Sequence, residues 1–547
     1  MVRCLLLSLV PLAACAPAPD EGTPNPPDRS PCSEGTFCEQ TDALGLSDLL
    51  TYGRGVTFTD FDSDGDDDVF VSDADGHHRW NGRSRLFRND DGHFVEVDVG
   101  FDLEHLSPVW SAAFNDFDND GDPDVILALG GYTHDARLHF YENRMAEEGR
   151  FVNRDHALVL PPAMLLPQRW WGIAVADVDN DGFLDATVTR LRGRPALLRN
   201  NGVGGFTEIG STLAVGFPNV TDMKNPVHFD MDADGDLDLY LAGTFDQRLF
   251  ESTPAGFVDR TDLVRTSDRI HVFAAVAEDF DQDGDDDLYM GRWSRQDLLW
   301  LNEGGTFTPV GPDRGIDAVL GIHTQTACAE FDVEVPFTDV GYAAEGEAFE
   351  NTMGLSTYDL GEDGWPDLFI GTGDPIVAAP DLLYCNQGGA YFERCADAFF
   401  SPEDPHLATR GHGSAASDFD GDGDIDVFFG LGGNPEYDRA VNDTVDSREQ
   451  PRMFVRKAVE GTKTARVKLE GTVSNRDAIG ARITVFGEQN HYYRVRGMQG
   501  FQSQNSLVQV VTLSGRDEAD ALVEWPSGAK TAVTLRAGES FHVVESP

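Results

Sequence analysis

The chain has 547 residues and carries 95 Asp and Glu against 41 Lys and Arg, a formal net charge of −54 at pH 7. Such acidity argues against nucleic acid as a partner, because phosphate binding needs a basic surface. A hydrophobic share of 40% is ordinary for a globular protein, and 57 Gly point to turn-rich β-structure. The length is large for one compact domain but natural for a repeat architecture, which grows by units.

The N-terminus reads as an export signal. Arg3 supplies a positive start, and Cys4 to Leu12 form an apolar core too short to span a bilayer. Leu12-Ala13-Ala14-Cys15 then resembles a bacterial lipoprotein cleavage box. The resemblance implies a signal peptide over 1–14, a lipidated Cys15 and a membrane reached through the acyl chains. Exported, lipid-anchored residence in the bacterial cell envelope follows, with the outer membrane as the expected site. A plain secretory signal is the alternative. Residues 15–31 are Pro-rich and read as an extended spacer.

A nine-residue loop then recurs seven times, with starts 49 to 80 residues apart. Six copies are complete Asp-x-Asp-x-Asp-Gly-x-x-Asp. Their candidate ligands are Asp60, Asp62, Asp64, Asp66 and Asp68; Asp116, Asp118, Asp120, Asp122 and Asp124; Asp177, Asp179, Asp181, Phe183 and Asp185; Asp230, Asp232, Asp234, Asp236 and Asp238; Asp279, Asp281, Asp283, Asp285 and Asp287; and Asp418, Asp420, Asp422, Asp424 and Asp426. The sixth copy in chain order has Asp359, Asp363, Trp365 and Asp367 but Gly361 at position three. Ca²⁺ takes six to eight hard oxygens, and alternate Asp in a tight turn converge on one point. Position seven varies, as befits a ligand given by the backbone carbonyl, and Gly at position six permits the bend. Six to seven Ca²⁺ sites are expected, the Asp359 loop being the weakest.

Each loop joins a small-residue strand to an apolar one, and two further strands follow, as in LFRNDDGHFVEV (86–97) and LLRNNGVGGFTEI (197–209). Seven four-stranded repeats predict an all-β, seven-bladed β-propeller over 32–457. The last repeat lacks its fourth strand after RMFVRK (452–457), and residues 36–41 fit the missing pattern, so the N-terminal strand is expected to close the last blade. Six residues before each loop stand Arg54, Trp110, Trp171, Lys224, Phe273, Met353 and His412. Followed mostly by small residues, they are expected at the channel mouth, either as a ligand rim or as a plug. Cys385 and Cys395 flank a Gly-Gly turn and favour a disulfide; Cys32 with Cys38 is a second option, and Cys328 is left over.

The loops and LxxN-GxF strands resemble the FG-GAP/VCBS repeats of secreted bacterial propellers and, more distantly, integrin α-chains. Residues 458–547 read as a small all-β, sandwich-like domain. Its Asn475-Arg-Asp-Ala-Ile-Gly480, Phe501-Gln-Ser-Gln504 and Trp525-Pro-Ser-Gly528 are similar to the ASPIC/UnbV family. Where that family carries Phe-Gly-Leu-Gly, this chain has Val510-Val-Thr-Leu-Ser-Gly515. The combination is similar to bacterial relatives of cartilage acidic protein. Residues 452–547 hold 13 Lys and Arg against 10 Asp and Glu, so this segment either docks on the acidic propeller or rides free on a linker.

No G-x-S-x-G, H-E-x-x-H or P-loop occurs. The leading functional reading is a calcium-stabilised, lipid-anchored envelope binding or adhesion module for a protein or glycan, not an enzyme. An envelope enzyme with a site at the propeller axis is the alternative.

Overall fold

In the computed structural model the Asp loops are the hairpin connections of a repeated sheet. The structure describes residues 35–547 apart from 75–82, 104–107, 131–135, 211–222, 266–271, 311–313, 317–351, 373–378, 396–407, 434–446 and a few shorter gaps. The first sheet is antiparallel and runs Val56–Thr59, Asp68–Val71, Arg85–Asn89 and Phe94–Val97. Six more repeat it, with innermost strands Val109–Asn115, Arg169–Ala176, Met223–Phe229, Val272–Glu278, Thr352–Tyr358 and Gly411–Ser417. Successive innermost strands pack side by side, and Gly411–Ser417 lies against Val56–Thr59, so the ring of seven sheets closes.

Burial explains the composition of each strand. Inner strands sit between stacked sheets and are covered on both faces, so Asp124–Leu129 is buried at every residue and reads as a continuous apolar run. The outermost Phe94–Val97 buries Phe94 and exposes Val95 and Glu96. The seventh sheet takes its outer strand from the other end of the chain: Phe37–Glu39 pairs antiparallel with Arg452–Arg456, Phe37 opposite Arg456. The third sheet has five strands where the repeat pattern predicts four. Leu158–Val159, on the way from the second blade to the third, pairs parallel with Phe206–Glu208 and covers that edge. The Cys385–Cys395 disulfide spans its hairpin, with Cα atoms 5.8 Å apart. Cys38 is disulfide-bonded, whereas Cys15, Cys32, Cys328 and the 1–31 segment lie outside the described residues.

The C-terminal part forms two sheets. Thr464–Glu470 lies between Gln509–Thr512 and Ser540–Val544, and Arg482–Val485 lies between His491–Arg494 and Glu518–Glu524, which carries Lys530–Arg536 at its edge. Their core of Val467, Ile483, Val485, Val523 and Leu535 is continuous with Ile173, Val175 and Leu237 of the propeller. Residues 32–547 are one compact unit, and the C-terminal domain is docked rather than carried on a free linker. Among the described residues no helix is long and apolar enough to cross a membrane.

Candidate metal centres and the filled axis

In six of the seven loops the first Asp accepts the amide of the position-six glycine, Asp230 being the exception. Asp116 accepts the amides of Asp120 at 3.1 Å and Gly121 at 2.8 Å; Asp177, Asp279 and Asp359 accept the same pair in their loops. The glycine at position six has positive φ in all seven loops, 104° at Gly65 and 108° at Gly121. The ninth Asp ties the loop to the third strand. Asp68 accepts Phe61 N at 3.0 Å and Asn89 N at 2.8 Å, and Asp185, Asp238 and Asp287 repeat the pattern.

These bonds leave carboxylate oxygens facing one another. In Asp60–Asp62–Asp68, Asp116–Asp118–Asp120, Asp177–Asp179–Asp185, Asp230–Asp232–Asp234 and Asp279–Asp281–Asp287, one oxygen from each residue lies within 4.8 Å of the others. Buried oxygens of Asp62, Asp66, Asp124, Asp230, Asp232, Asp281, Asp418, Asp424 and Asp426 have no hydrogen-bond donor. Burial above all, then neighbouring carboxylates, pushes Asp279 up to about 8, and burial followed by Asp477 does the same to Asp116. Donorless buried carboxylates of this kind fit a hard divalent cation, which satisfies the oxygens and removes the cost of their charge.

The loops are not equivalent. Position seven differs between them: Trp365 and Phe183 face Gly389 and Gly202, and Asp285 accepts Gly304 N at 2.7 Å, whereas Asp66 and Asp424 keep a buried oxygen without a donor. At Phe183 and Trp365 only the backbone carbonyl can serve a cation. The Asp359 loop offers three carboxylates, and Asp359 faces the Tyr493 hydroxyl at 3.4 Å.

Two groups of residues act here beyond the candidate ligands and rim residues. The first is the Asn ending the third strand. Asn302 Nδ2 donates to Asp286 O of its own loop at 3.0 Å and to Met231 O of the preceding loop at 2.8 Å; Asn89, Asn143, Asn200 and Asn386 do the same in their blades. The conspicuous Asn in LxxN is thus an inter-blade clamp. The second is the basic set of the C-terminal domain. Lys468, Arg476, Arg494 and Arg466 lie 3.7, 3.6, 3.9 and 3.0 Å from the first Asp of loops one, two, four and seven. Arg494 and Arg496 both pair with buried Asp286, which they hold down at about 2 against the upward push of burial. The near-neutral balance of 452–547 was the sequence signal for this contact.

The seven candidate rim residues do converge, but not around an open mouth. Arg54, Trp110, Trp171, Lys224, Met353 and His412 are buried, and Phe273 is half-buried. Six of the seven sit where the inner strand's register shifts, between Val109/Ser111, Trp170/Ile173, Met223/Pro226, Val272/Ala274, Thr352/Gly354 and Gly411/Ser414. Such bulges re-aim a side chain out of the ladder. The space among them is filled by Phe501, whose ring centroid lies 6.2, 6.1 and 5.9 Å from those of Trp171, Phe273 and His412. Trp110 meets Trp171 edge-on at 4.6 Å, Arg54 lies 4.9 Å over Trp110, and Lys224 lies 3.2 Å from the Phe273 centroid. Burial, then Arg54, pushes His412 down to about 3, so it is neutral.

Phe501 belongs to a segment that runs along the axis. Gln504 extends the first inner strand, donating to Val56 O and accepting from Phe58 N, each at 3.0 Å. Its side chain accepts Phe114 N at 3.1 Å and donates to Phe114 O at 2.7 Å. Gln502 donates to Trp171 O at 2.8 Å, Asn225 to Gly500 O at 2.7 Å, and Ser506 N to Ala416 O at 2.9 Å. The small residues of the inner strands make room for it: a Cβ on Gly55 would stand 1.6 Å from Gln502 O.

Comparison with known proteins agrees with these elements. Residues 60–127 and 116–188 match the FG-GAP-like repeat, and residues 471–547 match ASPIC and UnbV. Cartilage acidic protein 1 of Xenopus tropicalis is 32% identical over 158 residues, covering 28% of this chain and 23% of that protein. The Homo sapiens protein is 30% identical over 162 residues, 28% of this chain and 22% of it. The chain therefore matches under a quarter of these relatives' length. Among solved structures, an Agrocybe aegerita lectin described as recognising non-reducing terminal N-acetylglucosamine covers 64% of this chain and 80% of its own at 17% identity, TM-score 0.39. A Bacillus licheniformis rhamnogalacturonan lyase covers 78% and 76% at 10% identity, TM-score 0.38.

Proposed function

We propose that this protein is a calcium-stabilised binding or adhesion module of the bacterial cell envelope, lipid-anchored at Cys15 and presenting its propeller to a protein or glycan. The observation that carries the calcium reading is the set of converging, buried carboxylate oxygens without donors in the loops. Asp60, Asp62, Asp64 and Asp68 would hold the ion in loop one with the carbonyl of Asp66, and the equivalent positions would do so in the others. The ion's role is electrostatic: it neutralises carboxylates and fixes the turn.

The filled axis favours binding over catalysis. Many propellers place an enzymatic site at the axis, and here Phe501, Gln502 and Gln504 occupy it among the described residues. A ligand surface is then to be sought on the outer strands and connecting loops. The test is affinity capture from an envelope extract with the acylated protein, with and without EDTA. A partner retained in Ca²⁺ and lost in EDTA is the expected result; turnover of envelope glycans without a retained partner would replace this reading with the enzyme. Labelling with a palmitate analogue, abolished by Cys15→Ser, tests the anchor.

A further inference from the structure

The cation loops and the axial segment belong to one interface. The carbonyl of the sixth-position glycine accepts a hydrogen bond from the C-terminal domain in three loops: Gly284 from Arg482 at 2.9 Å, Gly364 from His491 Nδ1 at 3.1 Å, and Gly423 from Thr464 at 2.8 Å. Tyr492 N donates to Gln282 of loop five at 2.7 Å, and Asp477 accepts Asn115 Nδ2 and Asp116 N at loop two, at 2.9 and 3.1 Å. The domain thus grips the turns, and the same domain threads Gly500–Asn505 down the axis.

We propose that cation loading of the loops and seating of the C-terminal domain, with its axial segment, form a single coupled equilibrium. The inference rests on the calcium reading above. A loop's sixth carbonyl points at the domain only when the turn is closed, and the turn closes around converging carboxylates. Without a cation those carboxylates repel one another, the turn opens, and the acceptors for Arg482, His491 and Thr464 swing away. Loading does not drive off the basic side chains. A complete loop has Asp at positions one, three, five and nine, so two positive charges leave it net negative and still attractive to Lys468, Arg476, Arg494 or Arg466.

Gly500–Asn505 follows the domain. It reaches the inner strands from the domain's side of the ring, in direct continuity with Arg494 and Arg496 on Asp286. When the domain lifts, Gln504 leaves Val56, Phe58 and Phe114, and Phe501 leaves the Trp171–Phe273–His412 chamber. The outer strands Arg85–Asn89 and Phe94–Val97 pair with each other and, among the described residues, make no hydrogen bond to the segment, so their ladder does not depend on it. Cation concentration therefore controls whether the aromatic and cationic chamber at the axis is shut. The Phe501-Gln-Ser-Gln504 motif is the stopper, not part of a reacting centre.

Hydrogen exchange on the full-length protein tests this, alongside calorimetric titration with Ca²⁺ alone to measure loading. In EDTA, peptides containing Gln504, Ser506, Phe58 and Phe114 should exchange at least about tenfold faster than in Ca²⁺, ahead of the outer pair Arg85–Asn89 and Phe94–Val97. Gln504→Ala should accelerate Phe58 and Phe114 in saturating Ca²⁺ while leaving the Ca²⁺ stoichiometry unchanged. Ca²⁺ binding heat with exchange at 500–506 indifferent to EDTA would overturn the coupling and leave the calcium reading standing. Equal acceleration of inner and outer strands would overturn it as general unfolding, and absence of Ca²⁺ binding would overturn both.

Discussion

The Asn at the end of a third strand does more for the ring than its exposed sequence context suggests. Asn302 is buried and its amide joins two carbonyls of adjacent loops. Asn302→Ala leaves both carbonyls buried without that donor, so it should cost about 2–4 kcal/mol in denaturant unfolding. Asn386→Ala should behave alike, and an exposed-strand control such as Glu96→Ala should change little. A second residue-scale lock closes the C-terminal domain. The buried Glu545 carboxylate accepts the amides of Thr472, Val473 and Ser474, each at 2.8 Å, and hydroxyls of Ser474 and Ser527. Burial alone would raise its pKa, but the Ser527 hydroxyl and the three amides hold it at about 2, below the ordinary 4.5. A depressed carboxylate stabilises the fold fully above its unfolded pKa and loses that contribution as pH falls through the folded one. The melting-temperature gap between wild type and Glu545→Gln should be constant near neutrality and close between about pH 4.5 and 2. A gap independent of pH would show that the charge is not what matters.

At the scale of elements, the closing strand is the exposed weakness of the ring. Phe37 and Cys38 are buried against Arg452–Arg456, and Gln40 N donates to Met453 O at 2.9 Å. Deleting residues 16–31 should leave the melting temperature unchanged, whereas deletion through Thr41 bares an edge strand and should lower it sharply and promote aggregation. Equal melting of the two truncations would refute that dependence. This strand was legible in the sequence because a repeat with a missing member announces what it lacks. The Asp loops and their flanking strands were legible for the same reason, each carrying its own turn chemistry. The bulges were not: Trp110, Trp171 and His412 leave the ladder because of packing at the axis, and nothing in their spacing records it. The fifth strand, Leu158–Val159, was hidden because two paired residues give no periodicity. The path of Phe501–Gln504 was hidden most deeply, since its partners Val56, Phe58 and Phe114 lie roughly four hundred residues away in the chain.

The whole molecule sets a near-neutral cap, its basic side chains turned toward the loops, on a strongly acidic ring. Charge composition alone left docking and a free linker both open, and salt would weaken a purely superficial contact. The interface is not superficial: Arg496 and Asp286 are almost fully covered and 3.0 Å apart, and the apolar cores of ring and cap are continuous. The cap should therefore stay seated in high salt, and the cations in the loops should decide its stability. A cation that binds only the folded state adds about 2.7 kcal/mol per site at a hundredfold excess over its dissociation constant. EDTA should lower the melting temperature markedly, Ca²⁺ should restore it, and Mg²⁺ should do so poorly because it gives up its water shell reluctantly. The loss should be uneven around the ring. Asp62→Ala and Asp420→Ala each open a loop whose buried carboxylate oxygens lack donors, at Asp66 in one and at Asp418, Asp424 and Asp426 in the other. Asp363→Ala touches the loop that already lacks a carboxylate at Gly361 and leans on Tyr493 instead, so its effect should be the smallest of the three. An unchanged melting curve in EDTA, or an Asp363 variant weaker than both others, would contradict a ring held by its cations.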